Sequence, residues 1–192
     1  MRRRSFLIGA SVAIAGATTW VLTRRAREIS GPRKAEPTPQ GYAERPDEPV
    51  LPERYRETLR AMVARLYPEG PDGPGAVTAK AYDYIEGELS RSNMQGIRRL
   101  LTNGAVQLDR VSMGQLKQAF ASLGPADQDL VITAVQHGEG APKSFDGAAF
   151  VEAAVIMTIE GMFCDPVYGG NAGEVGWQDV GYTMQSPRPV KV

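Results

Sequence analysis

From Leu51 to Phe163 the apolar residues recur at steps of three and four, and no stretch alternates convincingly between apolar and polar. Spacing of three and four lays one face of an α-helix on a core, whereas a half-buried strand needs a period of two. Leu51, Tyr55, Leu59, Met62, Val63 and Leu66 predict a first helix, with Pro52 in its first turn. Pro68 and Gly70-Pro71-Asp72-Gly73-Pro74-Gly75 end it. Val77, Ala81, Tyr84, Ile85 and Leu89 predict a second helix. Met94, Ile97, Leu100 and Leu101 predict a third, stopping near Asn103-Gly104. Ser112-Met113-Gly114-Gln115 reads as the capping box of a fourth, with Leu116, Phe120 and Leu123 inward. Pro125 opens a fifth that stops by Gly138, with Asp127 and Asp129 near the positive end of its dipole. Ser144 is expected to cap a sixth helix running to about Phe163. Its apolar residues, Ile156 and Ile159 among them, lie nearly all round, which predicts a central position. The expected class is mainly α: an irregular helical domain of about six helices over residues 51–192, ending in a long ordered glycine-rich loop.

That loop runs from Gly161 to Trp177. Asp165-Pro166 and Gly169-Gly170-Asn171 are turn formers, and glycine admits positive φ and close backbone approach. Tyr168 and Trp177 are its large side chains. They serve either as core anchors that pin the loop or as groups that face a partner, and the sequence weighs the two equally.

Chemistry is harder to find. One cysteine, Cys164, and one histidine, His137, exclude a disulfide framework, cysteine clusters, multi-histidine zinc sites and paired-histidine di-iron sites. There is no Gly-x-Gly-x-x-Gly, no P-loop and no Cys-x-x-Cys-His. No serine or cysteine has a base and an orienting group to activate it. Asp165, Asn171, Glu174 and Asp179 carry oxygens, but their spacing fits no EF-hand, and bonds to loop amides are their expected use. His137, at a helix C-terminus, is expected to cap it. No catalytic, cofactor-binding or metal-ligating residue is therefore expected in this chain.

Charge divides the chain. Residues 1–34 carry eight Arg or Lys against Glu28 alone; the whole chain has 22 of each sign, so residues 35–192 hold 14 basic and 21 acidic residues. An acidic body argues against nucleic acid as partner. The basic start precedes an apolar run from Phe6 to Leu22, roughly 26 Å as a helix, closed by Arg24-Arg25-Ala26-Arg27. Arg3, Arg4, Phe6 and Leu7 resemble a twin-arginine translocation signal, with Arg2 where Ser or Thr is usual and Ile8 where Lys is common. An ordinary basic start on a membrane helix is the other reading. Residues 1–27 are thus a signal or anchor segment. Residues 28–50, with Pro32, Pro37, Pro39, Pro46 and Pro49, form a proline-rich linker.

Glu160-Gly161-Met162-Phe163-Cys164-Asp165-Pro166-Val167-Tyr168-Gly169-Gly170-Asn171, then Val175-Gly176-Trp177 and Gly181-Tyr182, closely resembles the signature of the gluconate 2-dehydrogenase subunit 3 family. Leu59-Arg60-Ala61 through Tyr67-Pro68, Asp72 to Ala76, Asp83-Tyr84-Ile85 and Leu123 to Asp129 fit the same family, with Gly124 where a serine is usual and Cys164 where a small residue is common. The resemblance spans roughly residues 55–182. It implies the small, non-catalytic subunit of a membrane-associated flavin dehydrogenase. The large partner would be an FAD flavoprotein of the glucose–methanol–choline class, and a multihaem cytochrome c with haem c often forms a third subunit. It further implies export by the twin-arginine machinery to the periplasm, at the inner membrane, with this chain as escort. Partner docking would then fall on Asp165, Pro166, Tyr168, Gly169, Gly170, Asn171, Gly176 and Trp177. A stand-alone membrane-anchored scaffold or binding protein in the periplasm is the alternative.

Overall fold

The first helix of the chain's computed structural model, which describes residues 51–183, begins directly after Pro52. Helix α1 (Glu53–Leu66) has Glu53 in its first turn and Arg65 in its last, both matched to the helix dipole. Its buried stripe is Thr58, Leu59, Met62 and Val63. Then follow α2 (Ala81–Leu89), α3 (Gln95–Leu116), α4 (Pro125–Gln136), α5 (Gly147–Phe163) and a short α6 (Val175–Asp179). Three-residue 3-10 turns lie at Ser92–Met94, Phe120–Ser122, Pro166–Tyr168 and Ala172–Glu174. No strand occurs among the described residues. The mainly α class is as expected, and α5 is central: it touches each of the other five helices. No described helix is long and apolar enough to cross a membrane. The signal or anchor reading of residues 1–27 and the linker 28–50 lie outside the described residues.

Four expectations are corrected. The third and fourth helices are one, the 22-residue α3. Leu101, Ala105, Leu108 and Val111 keep the helical stripe unbroken past Asn103-Gly104, and all four are buried. Gly104 faces the ring of Phe150, where an added Cβ would lie 2.0 Å from Cε2. Glycine costs an α-helix about 1 kcal/mol, which the burial of a whole phenylalanine outweighs. Ser112 consequently caps nothing: it is buried, and its hydroxyl donates to the carbonyl of Gln118. Leu116 is exposed, while Phe120 and Leu123 are buried as expected but lie in and just after the 3-10 turn. Phe120 is held there from two sides. Its amide donates to Asp109 Oδ1 at 3.1 Å, and its carbonyl accepts from Gln128 Nε2 at 3.1 Å.

Second, α2 begins at Ala81, after Lys80 in the left-handed region, so Val77 sits outside the helix and is exposed. Third, α5 is capped by Asp146 and not by Ser144; Asp146 Oδ1 accepts from the amide of Ala149 at 2.9 Å. The turn closed by the Phe145 amide on the Pro142 carbonyl delays the helix by two residues. Fourth, Ile156 and Ile159 face solvent, at 48% and 45% exposure, although α5 is central. Asp127 lies in the first turn of α4, as expected. Asp129 instead forms a fork with Arg65 of α1, at 2.8 and 2.7 Å, an exposed pair worth at most about 1 kcal/mol.

Candidate functional site: the glycine-rich loop

An α-helix leaves its last carbonyls without intrahelical partners. At the end of α5 the loop supplies them. The amide of Asn171 donates to Gly161 O at 2.8 Å, Asn171 Nδ2 donates to Cys164 O at 3.0 Å, and Trp177 Nε1 donates to Phe163 O at 2.8 Å. Asn171 also turns its Oδ1 to the amide of Gly176 at 2.8 Å, while its own carbonyl takes the amide of Glu174 at 2.8 Å. The residue is wholly buried and left-handed, with φ 45° and ψ 44°. Asparagine suits that position because it tolerates the left-handed region and brings both a donor and an acceptor.

The flanking glycines follow from this hub. A Cβ at Gly170 would lie 2.3 Å from Gly161 O, and one at Gly176 would lie 2.1 Å from Met162 O. Both positions require the absence of a side chain, because backbone stands where it would go. Ala172 donates its amide to Ala79 O at 2.9 Å, which ties the loop to the segment before α2. At the far end Asp179 lies over Gly73, where a Cβ would meet its Oδ1 at 2.2 Å. The loop therefore joins the end of α5, the start of α2 and the turn after α1.

The eight loop residues expected to dock a partner form one continuous structure with two sides. Gly170, Asn171, Gly176 and Trp177 are buried and build the frame. Trp177 is an inward anchor, its ring edge-on to Tyr182 at 5.3 Å between centroids. Pro166, Tyr168 and Gly169 are half-buried and form the outer side, while Asp165, also half-buried, has its Oδ2 turned away from solvent. Asp165 Oδ1 accepts from the amide of Val167 at 3.0 Å, the loop-amide use expected of it. The sequence marked Gly-Gly-Asn as a turn, but neither spacing nor composition disclosed that the asparagine would cap a helix ten residues upstream of it.

Among the described residues no group of three or more His, Cys, Asp or Glu converges as a metal site. A cleft of about 280 Å³ between α1 and the start of α2 is lined by Arg60, Val77, Lys80 and Tyr82; it falls just below the usual range for small-molecule sites. Arg60 stacks on the Tyr82 ring there, 4.9 Å from its centroid. Near the loop, the hydroxyl of Tyr84 on α2 donates to Glu160 Oε2 on α5 at 3.2 Å.

Cys164 is half-buried where α5 enters the loop. Burial pushes its thiol up to about 11 from 9.0, against the Gly170 amide, which pulls it down. Because only the thiolate reacts, alkylation by iodoacetamide at pH 8 is expected to run about a hundredfold slower in the folded chain than in urea. The sign for stability follows. The folded state holds the proton more tightly, so stability is full below pH 9 and falls as the pH rises toward about 11. Equal alkylation rates in the two states would remove the argument.

Residues 53–183 match the protein family described as gluconate 2-dehydrogenase subunit 3. The chain belongs to that family. The match covers nearly all of the described fold, from the start of α1 through the capping loop. Searches of curated proteins and of solved structures gave no match. Membership in a family of dehydrogenase subunits fits an accessory chain that works beside other subunits. In this gluconate 2-dehydrogenase subunit 3 family member, the Gly169-Gly170-Asn171 turn is the C-terminal cap of α5.

Proposed function

We propose that this chain is the non-catalytic small subunit of an exported FAD-dependent dehydrogenase, and that it escorts and stabilises the flavoprotein subunit. The observation that carries this reading is the family match over residues 53–183. Two features of the chain support it. The loop is cross-bonded into a rigid frame with a half-buried outer side, as a docking element requires. The start of the chain pairs Arg3 and Arg4 with Phe6 and Leu7 in the manner of a twin-arginine signal, the route that carries folded cargo. FAD belongs to the large subunit of the glucose–methanol–choline class, and haem c to a cytochrome third subunit. The complex works in the periplasm at the inner membrane.

Replacing Arg3 and Arg4 by lysine tests the escort role. Dye-linked dehydrogenase activity in the periplasm is expected to drop to the level of a strain lacking this chain, with the flavoprotein retained in the cytoplasm. Normal periplasmic activity in that variant would overturn the escort role. A tagged full chain purified from native membranes is expected to carry a larger flavin-absorbing protein with it.

A further inference from the structure

Lys80 stands where three local preferences oppose it. Its backbone is left-handed, with φ 52° and ψ 37°, a conformation that glycine or asparagine adopts at less cost. It is the N-cap residue of α2, a position that calls for a side-chain acceptor; lysine has none, and no side-chain cap bond forms. Its positive charge also lies at the positive end of the helix dipole. The residue is exposed, and its Nζ bonds to no group among the described residues.

The side chain does line the cleft of about 280 Å³ between α1 and the start of α2. Arg60 and Val63, three residues apart and so on one face of α1, line it from one side. Ala76, Val77, Lys80, Tyr82 and Asp83 complete the lining. Arg60 is held in place yet lightly paired. Its guanidinium stacks on the Tyr82 ring, 4.9 Å from the centroid, which engages the face of the group and leaves its in-plane donors. Arg56 takes the closer contacts to Glu53 and Glu86, whereas those of Arg60 are 3.4 and 4.0 Å.

Two cations thus meet one carboxylate, Asp83, at a cleft in a body that holds 21 acidic and 14 basic residues over positions 35–192. That balance selects an anion. Val63, Ala76 and Val77 select further, because apolar walls favour a carboxylate with a hydrocarbon body over a fully hydrated phosphate. The volume restricts the ligand to a small molecule.

We propose that the cleft between α1 and the start of α2 binds a small organic monocarboxylate, with Lys80 and Arg60 holding the carboxylate and Val63, Ala76 and Val77 its hydrocarbon part. Arg60 supplies planar donors and Lys80 a point charge. A ligand there braces the segment whose Ala79 carbonyl holds the loop through the Ala172 amide at 2.9 Å. The site lies within this chain and does not depend on the accessory-subunit reading.

The test uses the tagged full chain in mild detergent, with benzoate as probe and benzamide as its uncharged counterpart. Benzoate is expected to bind with a dissociation constant of about 1 mM, and benzamide at least about tenfold more weakly. In lysine acetylation read by mass spectrometry, benzoate is expected to slow modification of Lys80 and to leave the exposed Lys143 unchanged. Lys80→Gly relieves the backbone and removes the charge. It is expected to raise the thermal midpoint while weakening benzoate about tenfold, a split that a merely structural lysine would not give. Arg60→Gln is expected to weaken benzoate by a similar factor. Should glycine lower the midpoint, Lys80→Asn repeats the comparison with a residue that also tolerates the left-handed region. Equal binding of benzoate and benzamide, equal protection of Lys80 and Lys143, or wild-type benzoate affinity in the Lys80 and Arg60 variants overturns the site. Inorganic phosphate binding as tightly as benzoate overturns the carboxylate class.

Discussion

Asn171→Ala is expected to destabilise the domain by about 3 kcal/mol, a shift of about 1.5 M in the urea midpoint at a slope of about 2 kcal/mol per molar. The substitution strands the buried Gly176 amide, removes the partner of Cys164 O and leaves alanine in the left-handed region. The first loss dominates, because a buried donor without a partner costs about 1–3 kcal/mol, whereas the half-buried Cys164 carbonyl recovers part of its bonding from water. Asn171→Gly separates the contributions. It removes the side-chain bonds but relieves the backbone, so it is expected to be less destabilising than alanine by about 1 kcal/mol. Fluorescence of Trp177, whose indole caps Phe163, is a direct reporter of unfolding. An alanine variant as stable as the wild type would mean that the hub is dispensable.

Gly104→Val produces the second large effect, through the opposite failure. Valine places carbon where the Phe150 ring now lies, with ring atoms 2.0 to 2.4 Å from the new Cβ. Phe150 is completely buried and packs on Phe145 with centroids 5.8 Å apart, so it has nowhere to retreat. Replacing a mid-helix glycine returns less than about 1 kcal/mol of helix propensity, while overpacking costs about 1–3 kcal/mol, with more expected for the branched side chain. The net is a loss of about 2 kcal/mol. In a double-mutant cycle, Phe150→Leu is expected to cost less in the Gly104→Val background than in the wild type. Additive losses in urea denaturation would show that the ring and the glycine do not oppose each other.

Both cases explain what the sequence disclosed and what it withheld. Apolar spacing identified α1, α4 and α5 because their stripes are regular and their ends carry Pro52, Pro125 and the Asp165-Pro166 turn. It failed at Gly104, where the local rule for glycine is a helix stop and the deciding partner is 46 residues away on α5. It failed at Ser112 for the same reason: a capping pattern was present, but the helix was held in register by burial of Leu108 and Val111. In the loop, the turn-forming residues were plain, and their purpose was not. The bonds from Asn171 and Trp177 reach back across seven and fourteen residues to carbonyls that no side-chain pattern marks. The outward turn of Ile156 and Ile159 was equally hidden, since hydropathy alone reads both as core.

The capping of α5 by residues that follow it also orders events in time. Ribosomes make a chain from its N-terminus, so all of α5 emerges before Asn171 and Trp177 do. Until they do, the carbonyls of Gly161, Phe163 and Cys164 lack these partners, and the loop has no frame. A nascent or truncated chain that stops short of Asn171 holds the whole of α5 with its last carbonyls still uncapped.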